Sequence, residues 1–249
     1  MLNRRGFLQN LLWVPLLWNC SALPHPRSRF WLDRAMGWSA QRTIDFAGRL
    51  WRVRHSLQEP IGAGPNLWSS APANVFVDEH GALHMRLAPD QNGRWLCVEV
   101  ATPLPDRYHR MTIDCEGDLN GLDPNVIAAA FFYRNDTSEL DIEFARWGQP
   151  NDATNAQYVV APPSSTRLER FALPGGRAQT QHTIAWGADG IDFESRDQDQ
   201  NLIHAWRYDG PQRPKPDQHW LHLNLWLHRG LAPTNRQVAD WVVKDVRLF

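Results

Sequence analysis

The chain of 249 residues has almost no net charge: 26 Lys and Arg stand against 27 Asp and Glu, leaving -1. Without an excess of positive charge it cannot displace many counterions from a phosphate backbone, which excludes generic nucleic-acid binding. Gly (16) and Pro (18) stay well below the level that marks low-complexity chains. No Gly-rich phosphate loop and no G-x-S-x-G elbow occurs; Gly62-Ala63-Gly64 runs into Pro65, where a phosphate loop would run into a helix. Beyond the first twenty or so residues no apolar run approaches the length needed to cross a bilayer. Tyrosine is sparse, with 4 residues, whereas tryptophan is abundant, with 13. An indole is costly to bury because its N–H needs a partner. So many of them in a neutral chain imply either a wide core or a surface that stacks on flat ligands.

The N-terminus reads as an address. Arg4-Arg5-Gly6-Phe7-Leu8 precedes an apolar stretch from Leu11 to Trp18 that is too short to span a membrane. Adjacent arginines directly ahead of such a run resemble the twin-arginine export signal. Its end has two readings: cleavage after Cys20-Ser21-Ala22, or lipidation of Cys20 itself. Residues 1–22 are therefore expected to be the signal, and residues 23–249 a single exported domain, periplasmic or extracellular, monomeric and without a membrane span. Cys97 and Cys115 remain in that domain. A hairpin through Pro103-Leu104-Pro105-Asp106 would set them opposite each other in disulfide geometry; the other reading is two buried free thiols.

Across that domain the repeat is that of strands. Fourteen short segments carry a β pattern: Trp51–Ser56, Val75–Val77, Leu83–Leu87, Trp95–Ala101, Tyr108–Asp114, Val126–Tyr133, Glu139–Phe144, Ala156–Val160, Thr166–Phe171, His182–Trp186, Ile191–Ser195, Ile203–Arg207, Leu221–Leu227 and Trp241–Leu248. Asp189-Gly190 is a strong hairpin signal between two of them. This spacing predicts an all-β sandwich or barrel.

Two strands place chemistry on one face. In Ser138-Glu139-Leu140-Asp141-Ile142-Glu143-Phe144, alternation sends Leu140, Ile142 and Phe144 one way and three carboxylates the other. Like charges in a row repel and raise one another's pKa. In a cleft such a row is costly, which points to function; on a solvated edge it is merely tolerated. Glu139 and Glu143 are about 13 Å apart at Cα on a flat strand, and their arms can lean together over the shorter Asp141. A retaining glycosidase needs its two carboxyls about 5–5.5 Å apart, one ionised to attack and one protonated to donate, and the wider spacing of an inverting pair fits the strand as well. In Leu221-His222-Leu223-Asn224-Leu225-Trp226-Leu227-His228, four leucines share one face, and His222, Asn224, Trp226 and His228 the other. An indole for the apolar side of a pyranose and an amide for its hydroxyls make this a candidate sugar face. His222 and His228 stand too far apart on a flat strand to share a metal ion.

At these residues the chain resembles the family 16 glycoside hydrolases, the lichenase and laminarinase-like enzymes. The signature E-x-D-x-E is Glu139-Leu140-Asp141-Ile142-Glu143. Gly64-Pro65-Asn66-Leu67-Trp68-Ser69, Asn74–Asp78 and Gly81–Leu87 look like the family's early strands; His182–Trp186, Asn224-Leu225-Trp226 and Asp240–Leu248 look like its later ones. The resemblance implies a concanavalin A-like β-jelly roll of two antiparallel sheets and retention of configuration. It implies Glu139 as nucleophile, Glu143 as general acid/base and Asp141 as the group that holds and tunes the pair. It also implies substrate contacts at Asn66, Glu99, Asn155, Asn224 and Trp226, no catalytic cofactor, and room for a structural calcium that no sequence feature requires. There are departures. Ala101 stands where the mixed-linkage enzymes carry Arg, Thr137 where they carry Trp, and Arg146-Trp147-Gly148 is a different elaboration, in which Trp147 can supply the missing platform or pack under a loop. Three functions remain in view: a retaining endo-glycosidase on a β-linked, β-1,3/1,4-glucan-like polysaccharide, a transglycosylase that remodels a cell-surface polysaccharide, and a non-catalytic carbohydrate-binding module.

Overall fold

Period-two alternation dominates the chain, and among the described residues every regular element is a strand or a single 3-10 turn. The computed structural model describes Trp38 and residues 42–56, 59–176 and 178–249. The expected export signal, with Cys20, lies outside the described residues.

Sixteen strands form two sheets. The first runs in the order β11 (Leu168–Phe171), β10 (Ala156–Val160), β9 (Ser138–Phe144), β8 (Val126–Asn135), β15 (Trp220–Leu227), β6 (Trp95–Pro103), then β2 (Arg49–Val53) and β1 (Thr43–Phe46). The second runs β4 (Val75–Val77), β5 (Leu83–Pro89), β16 (Ala239–Leu248), β7 (Arg110–Glu116), β12 (Gln179–Trp186), β13 (Ile191–Asp197), β14 (Leu202–Tyr208). All these pairings are antiparallel. The short β3 (Leu67–Trp68) pairs parallel with the start of β6, and the β5–β6 hairpin joins the sheets at one edge. The result is an all-β jelly-roll sandwich, as the sequence predicts.

The core lies between the sheets. From the first come Phe132, Leu140, Ile142, Phe144 and the leucines of β15; from the second, Met111, Ile113, Ile184, Phe193, Trp241 and Val243, all essentially without solvent contact. Tryptophans fill much of it. The indole N–H of Trp51 reaches Phe46 O at 3.0 Å, that of Trp68 reaches Ile61 O at 3.2 Å, and that of Trp186 reaches Pro214 O at 3.1 Å, so their burial leaves no unmet donor. A polar tie also crosses the sandwich. Tyr158 on β10 donates to Ser195 Oγ on β13 at 2.7 Å, and the same oxygen meets His182 Nδ1 at 2.7 Å. Burial pushes the pKa of His182 down to about 3, so the ring stays neutral in this tie.

All fourteen expected strands are present, Val75–Val77 and Ala156–Val160 with unchanged ends. Thr166–Phe171 shortens to Leu168–Phe171 because Ser164 to Arg167 closes a turn. Two strands were not legible: β1, a half-exposed edge strand ending in an Ala47-Gly48 turn at positive φ, and β3, only two residues long.

One expectation is overturned. The symmetric hairpin between Cys97 and Cys115 does not form. β6 belongs to the first sheet and β7 to the second, because residues 104–109 cross the sandwich edge, anchored by the bond from Leu104 N to His219 O at 3.0 Å. Both thiols are free and buried, and burial pushes that of Cys115 up to about 12. Denatured without reductant, the protein is expected to alkylate at both positions. Peptides found linked through Cys97 and Cys115 would contradict their placement in separate sheets.

Candidate active site

β9 pairs regularly on both sides. Glu139, Asp141 and Glu143 lie opposite Tyr133, Phe131 and Ala129 of β8; Asp141 and Glu143 also lie opposite Val159 and Gln157 of β10. No bulge interrupts the triplet, so all three carboxylates share the outer face of the first sheet. Leu140, Ile142 and Phe144 are fully buried on the inner one. Ala129, opposite Glu143, is small and itself buried.

The row is not a solvated edge. Asp141 is buried, and Glu139 and Glu143 are only partly exposed. Burial, the largest cause for each, raises all three pKa values: that of Glu139 to about 8, that of Glu143 to about 7, and that of Asp141 well above the usual carboxylate range. The charge of Glu143 adds to the rise at Glu139, and both glutamates add to the rise at Asp141. The hydrogen bond between Asp141 and Glu139 lowers the second and raises the first, so the proton belongs on Asp141 and the charge on Glu139. At neutral pH the trio therefore carries fewer than three charges.

Glu143 has its own partner. Gln157 Nε2 donates to Glu143 Oε2 at 2.5 Å. The Gln157 oxygen is itself held by Arg170 Nη1 at 2.8 Å and by Trp147 Nε1 at 3.2 Å, which fixes the amide with its NH2 toward Glu143. Both Gln157 and the nearby Arg170 charge hold the pKa of Glu143 down against burial. Trp147 sits at a positive φ of 53° and meets Trp226 edge to face, with ring centres 6.0 Å apart. The three-residue elaboration after β9 thus returns an indole to the carboxylate row.

On β15, His222, Asn224 and Trp226 share the outer face, while His228 lies beyond the strand in a 3-10 turn. Trp226 is partly exposed, and Asn224 lies between Ala129 and Glu99 with its Oδ1 buried and without a hydrogen-bond partner among the described residues. Glu99 shares this face, but as half of a buried ion pair: Arg54 Nη1 reaches its Oε2 at 2.5 Å, and His222 Nδ1 its Oε1 at 2.7 Å. The substrate contacts implied at Asn66 and Asn155 do not match what these side chains do. Asn66 spends both amide hydrogens on the carbonyls of Ala63 and Leu227, and Asn155 ties Asn120 and Leu173 together inside a loop. Ala101 faces His222, and Thr137 closes the β8–β9 turn on Asn135. Trp186 is core. Among the described residues no three His, Cys, Asp or Glu side chains are gathered for a metal ion.

No protein-family model and no curated protein sequence matches the chain. Solved structures do. A β-glucanase of Bacillus licheniformis superposes with a TM-score of 0.60 at 16% identity, covering 80% of this chain and 91% of that one. A non-specific endo-β-1,3(4)-glucanase of family 16, crystallised with an oligosaccharide at its active site, gives 0.61 at 12% identity over 80% and 86%. An immunostimulatory antigen and pseudo β-1,3-glucanase of Mycobacterium tuberculosis gives 0.59 at 19% identity over 80% and 90%. The fold is that of the family 16 glucanases. In this glucanase fold the sequence expectation and the architecture agree, while identities this low leave chemistry to be argued from the site.

The buried row has a cost that can be measured. Carboxyls whose pKa rises on folding bind more protons folded than unfolded. Their penalty is absent below the unfolded value of about 4.3 and grows until pH passes the folded values. Glu139→Gln and Asp141→Asn are thus expected to be more stable than the parent at pH 8, by on the order of 1 kcal/mol or more, with the gap closing toward pH 4. Urea midpoints at the two pH values test this; an equal gap at both would contradict it.

Proposed function

We propose that the protein is an exported retaining endo-glycosidase that hydrolyses a β-linked polysaccharide of the β-1,3/1,4-glucan kind. The observation that carries this reading is the unbulged row Glu139-x-Asp141-x-Glu143 on a sheet face where burial raises all three carboxyls. Trp226 and Trp147, both partly exposed, support the reading as a stacking surface for sugar rings. The twin-arginine-like start supports export, with the signal ending by cleavage or by lipidation of Cys20. Among the described residues no helix is long and apolar enough to cross a membrane.

In this reading the Glu139 carboxylate, relieved of repulsion by the proton on Asp141, attacks the anomeric carbon. Glu143 gives its proton to the departing glycosidic oxygen. A covalent glycosyl-enzyme forms, and the leaving chain departs as an alcohol. Glu143, now ionised, takes a proton from water, whose oxygen displaces Glu139, and net retention follows. The raised pKa of Glu143 suits a donor that still carries its proton near neutral pH, while Glu139, raised further to about 8, attacks only in the form whose proton sits on Asp141. If a second sugar replaced water, the same residues would run transglycosylation, and product analysis separates the two. A purely sugar-binding reading draws support from the neighbour described as a pseudo β-1,3-glucanase. Against it stands the expense of burying three acids that a binder does not need.

Glu139→Gln and Glu143→Gln, assayed on a panel of β-glucans and galactans, are each expected to lose at least about a hundredfold in rate. Full activity in Glu139→Gln would remove the nucleophile assignment. A wild type that binds a panel member yet cleaves none would leave the binding reading in place of the enzyme. Gln157→Leu deletes the donor that lowers the pKa of Glu143, so the basic limb of its kcat/KM profile is expected to move to higher pH; an unmoved limb would deny Gln157 its hold on Glu143.

A further inference from the structure

We infer that Trp38 and His222 form a saccharide subsite that decides which chains the cleft accepts. This rests on the glycosidase reading and names a site on the same sheet face.

The position follows from the ladder. His222 lies opposite Phe131, and Phe131 opposite Asp141, so two interstrand steps, about 9.5 Å, separate His222 from the carboxylate row. That is far enough to meet a sugar other than the one under attack, and it lies on the face where the attacked chain must rest.

The chemistry follows from the partners. Arg54 and Glu99 are buried and tied to each other, so their charges largely cancel and the patch suits a neutral sugar. The same Arg54, with His222, holds the Glu99 carboxyl below its ordinary pKa against the pull of burial. Glu99 is therefore a carboxylate, able only to accept. His222 Nδ1, 2.7 Å from it, must be the donor, which leaves Nε2 as the ring's second polar atom. No described residue hydrogen-bonds that nitrogen, and it is not among the buried polar atoms sealed from solvent. The ring itself cannot swing. Phe131 stacks on it at 4.9 Å and 21°, while Tyr133 and Trp38 meet it edge-on at 5.6 and 5.4 Å. Trp38 is half-buried, held to this spot by His222 and by the Arg54 guanidinium 5.6 Å from its ring centre. A fixed indole with part of its surface open, beside a fixed ring nitrogen aimed at no protein group, matches the two needs of a pyranose: a flat apolar support and a partner for a hydroxyl.

Two variants separate this from simple packing. Trp38→Ala removes the support. His222→Asn keeps a short-range donor for Glu99 but deletes the atom at Nε2, so it spares the structural bond. Each is to be assayed on β-glucan and β-galactan oligosaccharides of increasing length, as KM and kcat separately, with binding to the Glu139→Gln background measured by calorimetry. We expect the penalty to grow with chain length, reaching about tenfold in KM and in Kd on the longest chains (about 1.4 kcal/mol), with kcat much less affected. A penalty that is the same at every length, no penalty, or a gain in activity in Trp38→Ala overturns the subsite while leaving the glycosidase reading intact. A wild type that neither binds nor cleaves any member of the panel overturns both.

Discussion

Three carboxyl groups held on alternate residues of one strand, and denied full access to water, are the constraint around which the rest of this molecule is arranged. The inner face of the same strand is the middle of the core, where Leu140, Ile142 and Phe144 are completely enclosed. The strand cannot twist its acids out into solvent without pulling that core apart. The cost of burying them, with the repulsion between them, is therefore retained, and it appears as raised pKa values and as a proton shared between Asp141 and Glu139. A sandwich is suited to this, since a close-packed interior transmits strain instead of absorbing it.

The neighbouring strands each answer one need of that row. β10 brings Gln157, whose amide is locked by Arg170 and Trp147 and so presents only its donor to Glu143. β8 brings Phe131, which separates the acids from the second polar cluster. β15 and β6 bring Asn224, Glu99 and His222, and Arg54 follows directly on β2. The Arg54–Glu99–His222 chain is a second buried charge system on the same face, fully paired where the carboxylate row is not. Paired buried charge confers geometry more than stability; here it fixes the ring of His222 and the place of Trp38.

Much of this was legible before any coordinates. Glu139, Asp141 and Glu143 declared themselves because strand alternation is local: five residues suffice to state which side chains share a face. Asn224 and Trp226 were legible for the same reason, as were fourteen strands. What failed depended on which strand lies beside which. Glu99 reads as a cleft residue, yet its partners stand 45 residues before it and 123 after it, and no local pattern carries that pairing. Gln157 opposite Glu143 depends on the register across an eleven-residue connection. The mirror symmetry of Cys97 and Cys115 about residue 106 suggested a hairpin, but symmetry in sequence says nothing about a chain that changes sheets. Asn66 and Asn155 matched a family pattern by position, while their amide groups were already engaged by the protein's own backbone and by Asn120. The thirteen tryptophans divide in the same way. Among those described, Trp51, Trp68, Trp186 and Trp241 are core, while Trp38, Trp147 and Trp226 gather around the polar face and Trp220 shares the outer face of β15.

The central claim is that this strained row forms a covalent bond to a sugar through Glu139. It can be tested by incubating the folded protein with a 2-deoxy-2-fluoro β-glycoside bearing a good leaving group, which slows release of the glycosyl-enzyme, and then mapping the adduct by peptide mass. The account predicts a single glycosyl adduct on Glu139, absent from Glu139→Gln. An adduct on Glu143 or on a residue outside β9, or none under conditions in which the protein cleaves its polysaccharide, would contradict it.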